Sequence, residues 1–270
     1  ASARPDSYNG LHGCLPLHCW IRARPARRWP DADACKGAPV KVLALLPLID
    51  WLALVAFFAL WIGYAWFAKF WGLRQRSLIA TTNRYRGFWM LQATARDPRM
   101  LDGVIVQNLS HTPSFFSSTS IIIIGGLFAL LGTTDKAAEL VREIPFAQPT
   151  PILVFEFKIL VLVGIFVYAF FRFSWSMRQY TFVALVIGSM PPAEDFASGR
   201  FDAKSYADRA GALVGAAAET FNDGLRAYYF SFAAMAWIFS PLAMVGATVL
   251  VVAILYGREF RSEVLTILRE

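Results

Sequence analysis

Four apolar stretches lie between residues 42 and 256, each near or above the roughly 20 residues that a helix needs to cross a bilayer. They are Leu48–Trp71, Ser114–Gly132, Leu153–Phe173 and Ala227–Tyr256. In lipid such a stretch must satisfy its own backbone, and a helix does so. The expected fold is therefore all-α: a polytopic membrane protein with four transmembrane helices and a cytoplasmic layer of amphipathic helices. Composition agrees, since 57% of the 270 residues are hydrophobic and only 17% charged, a balance poorly suited to a soluble domain.

The net charge of +7 does not point to nucleic acid. The basic residues flank apolar spans, where they set orientation and meet anionic headgroups. The lipid bilayer is the first expected partner, with a homo-oligomer or a membrane protein partner beside it.

Residues 1–39 differ from the rest. They hold all three cysteines, Cys14, Cys19 and Cys35, together with His12 and His18. Their spacing fits none of the paired zinc patterns, and the apolar core of a secretory signal is absent. No metal and no cofactor is expected. The segment reads as a disordered tail, or as translated upstream sequence before a start near Val40, leaving residues 40–270 as a single membrane domain.

Basic residues orient the spans. The connection 72–113 has six: Arg74, Arg76, Arg84, Arg86, Arg96 and Arg99. Six more run from the end of the third span to the start of the fourth: Arg172, Arg178, Arg200, Lys204, Arg209 and Arg226. The connection 133–150 has only Lys136 and Arg142, offset by Asp135, Glu139 and Glu143. The positive-inside rule then places both Arg-rich connections in the cytoplasm and both termini outside. Without residues 1–39 the count is 12 inside against 6 outside, and with them 12 against 12, so a genuine extension would erase the signal.

Several polar residues sit in or beside the spans. Asp50 follows Pro47 and is expected to cap the first helix, the other reading being a buried functional carboxylate. Thr112-Pro113-Ser114 reads as a cap with proline at the first helical position of the second span. Ser117 and Ser120 follow, suited to bonding across helices or to lining a solute path. Glu156 is expected to face a partner helix or water, and Lys158 to snorkel. Pro241 is expected to kink the fourth span. From Pro151 to Met190 nothing forces a helix to end, so the third helix should run to about residue 190, leave the membrane near Arg172, and expose an apolar stretch, Tyr180–Ile187, that needs cover. Amphipathic patterns over about 77–111 and 203–224 supply that cover.

Three polar motifs stand out: Arg96-Asp97-Pro98-Arg99 followed by Ser114–Ser120 and Gly125-Gly126; Phe170–Tyr180, containing Arg172, Trp175 and Arg178; and Phe221–Phe230, containing Asn222, Asp223 and Arg226. Together, over about residues 41–265, they resemble the domain-of-unknown-function 599 family, four-span membrane proteins of bacteria and plants. The resemblance implies the same topology and a bacterial inner membrane. It implies no activity and no catalytic residues.

The motifs cluster at the expected cytoplasmic ends of the spans. One reading is structural, with Arg96, Asp97, Asp102, Trp175, Asn222 and Asp223 tying the cytoplasmic layer to the bundle. The other is a pocket that binds a lipid headgroup or small anion through Arg99, Arg178 and Arg226. There is no zincin motif, nucleophile elbow, phosphate loop or dinucleotide fingerprint. The expected function is that of a non-enzymatic accessory or scaffold protein. The alternatives are an oligomeric transporter or channel, with Asp50, Ser117, Ser120 and Glu156 as intramembrane candidates, a headgroup-binding protein, and a membrane-embedded enzyme.

Overall fold

The computed structural model describes residues 46–74, 77–134 and 151–269. The expectations for residues 1–39, Lys136 and Arg142 fall outside them. The described elements are α1 (Leu48–Arg74), α2 (Leu78–Thr94), α3 (Met100–Leu131), α4 (Ile152–Gly188), α5 (Ala193–Ala197), α6 (Ala203–Met235), a 3-10 turn (Ala236–Ile238), α7 (Pro241–Phe260) and α8 (Glu263–Ile267). No strand occurs among the described residues. Helices α1, α3, α4 and α7 are long and apolar enough to cross a membrane.

The long third helix is present. At 37 residues, α4 reaches about 55 Å, nearly twice the thickness of the hydrocarbon layer. It therefore serves two cores. Its first part packs with α1, α6 and α7 around Phe57, Ile159, Phe173, Phe230 and Trp237. Its last part, including Tyr180, Val183 and Ile187, packs with Met90 and Ala93 of α2, Val106 of α3, and Ala207, Ala210 and Val214 of α6. The apolar end of α4 is covered as the helical periodicity requires.

Two proline expectations are exchanged. Pro113 does not open a helix; it lies buried inside α3, which runs unbroken from Met100 to Leu131. An internal proline costs about 3 kcal/mol, and α3 offsets it by packing along α4 on both sides of Pro113. Pro241 does not kink a span; it starts α7. Ser240 is extended, its hydroxyl accepts from the Ala243 N–H at 3.0 Å, and Pro241 takes the first turn. The residue before a proline is driven toward extended geometry, and Ser240 adopts it.

The stretch Ala227–Tyr256 is consequently two helices. The amphipathic helix expected over 203–224 continues to Met235 as α6, and the chain turns at residues 236–240 before descending as α7. At the turn, Trp237 Nε1 donates to Asp50 Oδ1 at 2.6 Å and the Phe157 ring meets Trp237 edge-on. At the other end of the bundle, Ile79 N–H donates to Glu259 Oε1 at 3.2 Å and the Tyr85 hydroxyl to Leu268 O at 3.2 Å. The first and last described residues thus lie at opposite ends of α1. Helix α6 carries Glu219, Asp223 and Arg226 and is not among the helices apolar enough to cross a membrane, although its last part packs within the bundle core.

Candidate functional site

Charged side chains gather where the helices leave the apolar bundle. Asp223 and Arg226 are three residues apart on α6, on one helix face, and Arg226 Nη1 donates to Asp223 Oδ1 at 2.9 Å. Arg172 of α4 pairs with the other oxygen of Asp223 across the helix contact. Gly224 allows this approach: a Cβ there would lie 2.5 Å from the ring of Phe173. Around the triad stand Lys69 of α1, Arg86 of α2, Glu219 of α6, and Arg258 and Glu259 of α7. Five cations meet three carboxylates, an excess of two positive charges.

Two cavities share this cluster, with Arg226 lining both. The larger, about 440 Å³, lies between α1, α4 and α6 and is lined by Lys69, Arg172, Arg226, Asp223, Glu219 and Thr220, with Ile62, Trp66 and Tyr168 as its apolar wall. Ile62 and Trp66 are exposed on the outer surface of α1, so one wall is continuous with the surface that faces lipid. Arg172 Nε is buried there with no hydrogen-bond partner, a costly state for a guanidinium nitrogen. The smaller cavity, about 240 Å³, lies between α1, α2, α6 and α7, with Arg86, Arg226 and Arg258 in its lining. Burial holds the pKa of Arg86 below the usual guanidinium value, opposed by Tyr180 and Glu219; Arg86 stays charged regardless.

The expected three-arginine pocket does not form. Arg99 donates to three carbonyls, Ala93 O at 2.9 Å, Met190 O at 3.4 Å and Pro191 O at 2.7 Å, and so clamps the start of α3 to the end of α4. Arg178 is exposed with its guanidinium 6.0 Å from the centre of the Phe182 ring. It stands about 18 Å along α4 from the clamp at residue 190. Only Arg226 belongs to the charged cluster.

The structural polar residues also divide. Asp102 is fully buried and accepts from Trp89 Nε1 at 2.7 Å and Arg96 Nη1 at 3.0 Å. Asp97 Oδ2 accepts from the Ala193 N–H at 2.8 Å. These tie α2, α3 and α5 together. Trp175 is exposed and, among the aromatic rings of the described residues, touches only Phe182. Asn222 joins the smaller cavity rather than a tie.

Inside the bundle, Ser117 meets Ser174 at 3.0 Å and Ser120 meets the Tyr228 hydroxyl at 2.9 Å, so both hydroxyls join helices. Asp50 is 5% exposed and receives Trp237; it does not cap α1. Lys158 does not snorkel. It is 3% exposed and donates to Trp237 O at 2.9 Å, because the turn at 236–240 presents a carbonyl where a straight span would present none. Glu156 is half-buried.

In the sequence Arg172 stands in a motif apart from Asp223 and Arg226, Arg86 stands only among the charges that set orientation, and Arg258 is not singled out. Nothing in one sequence signals that they converge, because each comes from a different helix.

Residues 52–264 match the family described as "Protein of unknown function, DUF599". The chain belongs to the DUF599 family. No curated protein and no solved structure gives a significant match. The matched region runs from α1 into α8, so every residue of both DUF599 cavities lies within it.

Proposed function

We propose that this DUF599 protein is a non-enzymatic protein of the bacterial inner membrane that holds an anionic lipid headgroup at its cytoplasmic face, in the 440 Å³ cavity. The observation that carries this reading is the pairing of Lys69, Arg172 and Arg226 with an apolar wall reaching the lipid-facing surface at Ile62 and Trp66. Phosphate oxygens suit guanidinium forks, and acyl chains suit the wall. The orientation follows from charge: with α7 descending, Arg258, Arg261 and Arg269 join the Arg-rich connections, which strengthens the positive-inside asymmetry. A homo-oligomer or membrane protein partner would use α3, which leaves Phe115, Ile122 and Phe128 exposed. A scaffold role and headgroup binding are compatible.

Native mass spectrometry of the protein released from mild detergent tests the reading. The wild type retains an anionic phospholipid in preference to a zwitterionic one. Lys69→Ala and Arg172→Gln each weaken retention about tenfold, the worth of one charge-assisted hydrogen bond. Equal retention of both lipid classes, or unchanged retention in both variants, contradicts it.

A further inference from the structure

We infer that the 240 Å³ cavity is a second, separate site, which takes a small tetrahedral oxyanion of the phosphate class. Three guanidinium groups line it from three helices: Arg86 of α2, Arg226 of α6 and Arg258 of α7. One carboxylate, Glu259, lines it too, and its Oε1 accepts from the Ile79 N–H. The lining therefore carries an excess of two positive charges, the complement of a dianion.

The bonding of these arginines shows what is missing. Arg86 Nη1 donates to Thr82 Oγ1 at 3.1 Å and to Asn83 Oδ1 at 2.5 Å, both neutral. Arg258 Nη1 donates to the Tyr229 hydroxyl, also neutral, and lies 5.2 Å from the centre of that ring. Neither forms an ion pair among the described residues. Arg226 has Asp223, but that carboxylate lines the larger cavity and is shared with Arg172. Tyr64 lies under Arg226, its ring centre 5.9 Å away, so aromatic faces fix two of the three guanidinium planes. Asn222 adds an amide to the lining and makes no side-chain hydrogen bond to another described residue. Gathering guanidinium groups with neutral partners is unfavourable without a counter-anion, and planar forks match oxyanion oxygens. A volume of about 240 Å³ equals about eight waters, enough for one phosphate with part of its hydration shell and too little for a phospholipid.

The test is calorimetric titration of the full chain in detergent with inorganic phosphate, at ionic strength matched by sodium chloride. The wild type binds phosphate saturably at one site and its melting temperature rises with phosphate. Arg86→Lys and Arg258→Lys each weaken binding tenfold or more, because lysine cannot reproduce the fork. Lys69→Ala, which lines only the larger cavity, binds phosphate as the wild type does, so the two sites fail or stand separately. Asn222→Asp, placing a carboxylate in the lining without removing an arginine, also weakens binding and covers the case in which an arginine variant does not fold. No saturable binding, chloride matching phosphate, or arginine variants binding like the wild type would overturn the site. A short-chain phosphatidic acid that displaces phosphate from the wild type, with both lost in Arg258→Lys, would assign the site to a lipid phosphate and overturn the free-anion inference.

Discussion

Gly224→Ala lowers stability by about 1–3 kcal/mol, the usual cost of overpacking a closed core, and Gly224→Leu does not accumulate. Helix propensity alone predicts the opposite sign, since alanine is favoured over glycine by about 1 kcal/mol in a helix interior. Packing decides because the added carbon would stand 2.5 Å from the Phe173 ring. That ring cannot swing away. It is fully buried, stacked on Phe116 with centroids 5.3 Å apart, and flanked by Phe221 at 5.6 Å and Tyr228 at 5.5 Å. Moving α6 outward instead would pull Asp223 from Arg172. Thermal unfolding in detergent reads the change. The double variant Gly224→Ala with Phe173→Leu should recover part of the loss, because the smaller side chain vacates the ring edge. Wild-type stability for Gly224→Ala would show that α4 and α6 do not approach as described.

Lys158→Met is the second large effect, a loss of about 3–5 kcal/mol, the cost of leaving a buried opposite charge uncompensated. Lys158 and Asp50 are both buried in the membrane-facing core, and Trp237 joins them: its carbonyl accepts from Lys158 Nζ at 2.9 Å and its indole N–H donates to Asp50 at 2.6 Å. The ammonium also lies 5.4 Å from the centre of the Trp237 ring. Removing the lysine strands Asp50 and frees a carbonyl at the turn between α6 and α7. Asp50→Asn combined with Lys158→Met should therefore cost less than the sum of the two single changes, by about 1–3 kcal/mol as expected of coupled neighbours. Strict additivity in the cycle would mean that the two charges do not sense each other.

The sequence made the fold legible where one signal dominated. The length of α4 was readable because no breaker interrupts residues 151–190, and its apolar end demanded cover that the 203–224 pattern supplied. The prolines were misread because local chemistry at Thr112-Pro113 and Ser240-Pro241 is alike; what separates them is that α3 has α4 to lean on. The continuation of α6 to Met235 was hidden by Asp223 and Arg226, whose charges look like the end of a helix before a span although they are paired within one. At the site, Arg226 and Asp223 were found because they share one motif on one face. Arg172 lay in another motif and was not linked to them, while Arg86 and Arg258 lay outside any motif, since only the helix packing brings them together. Arg99 and Arg178 were grouped with Arg226 by their place at the expected cytoplasmic ends of the spans, and they part because one donates to backbone carbonyls and the other is exposed.

Both binding readings require the charged cluster and the last helix to lie on the same, cytoplasmic face, opposite the start of α1. The most direct measurement is labelling of single cysteines at two exposed positions, Leu48 and Thr266, with Cys14, Cys19 and Cys35 replaced by serine. A membrane-impermeant thiol reagent added to intact spheroplasts labels Leu48→Cys and spares Thr266→Cys; in inverted membrane vesicles the pattern reverses. Labelling of both positions from the same side would contradict the helix path and, with it, the placement of the arginine cluster.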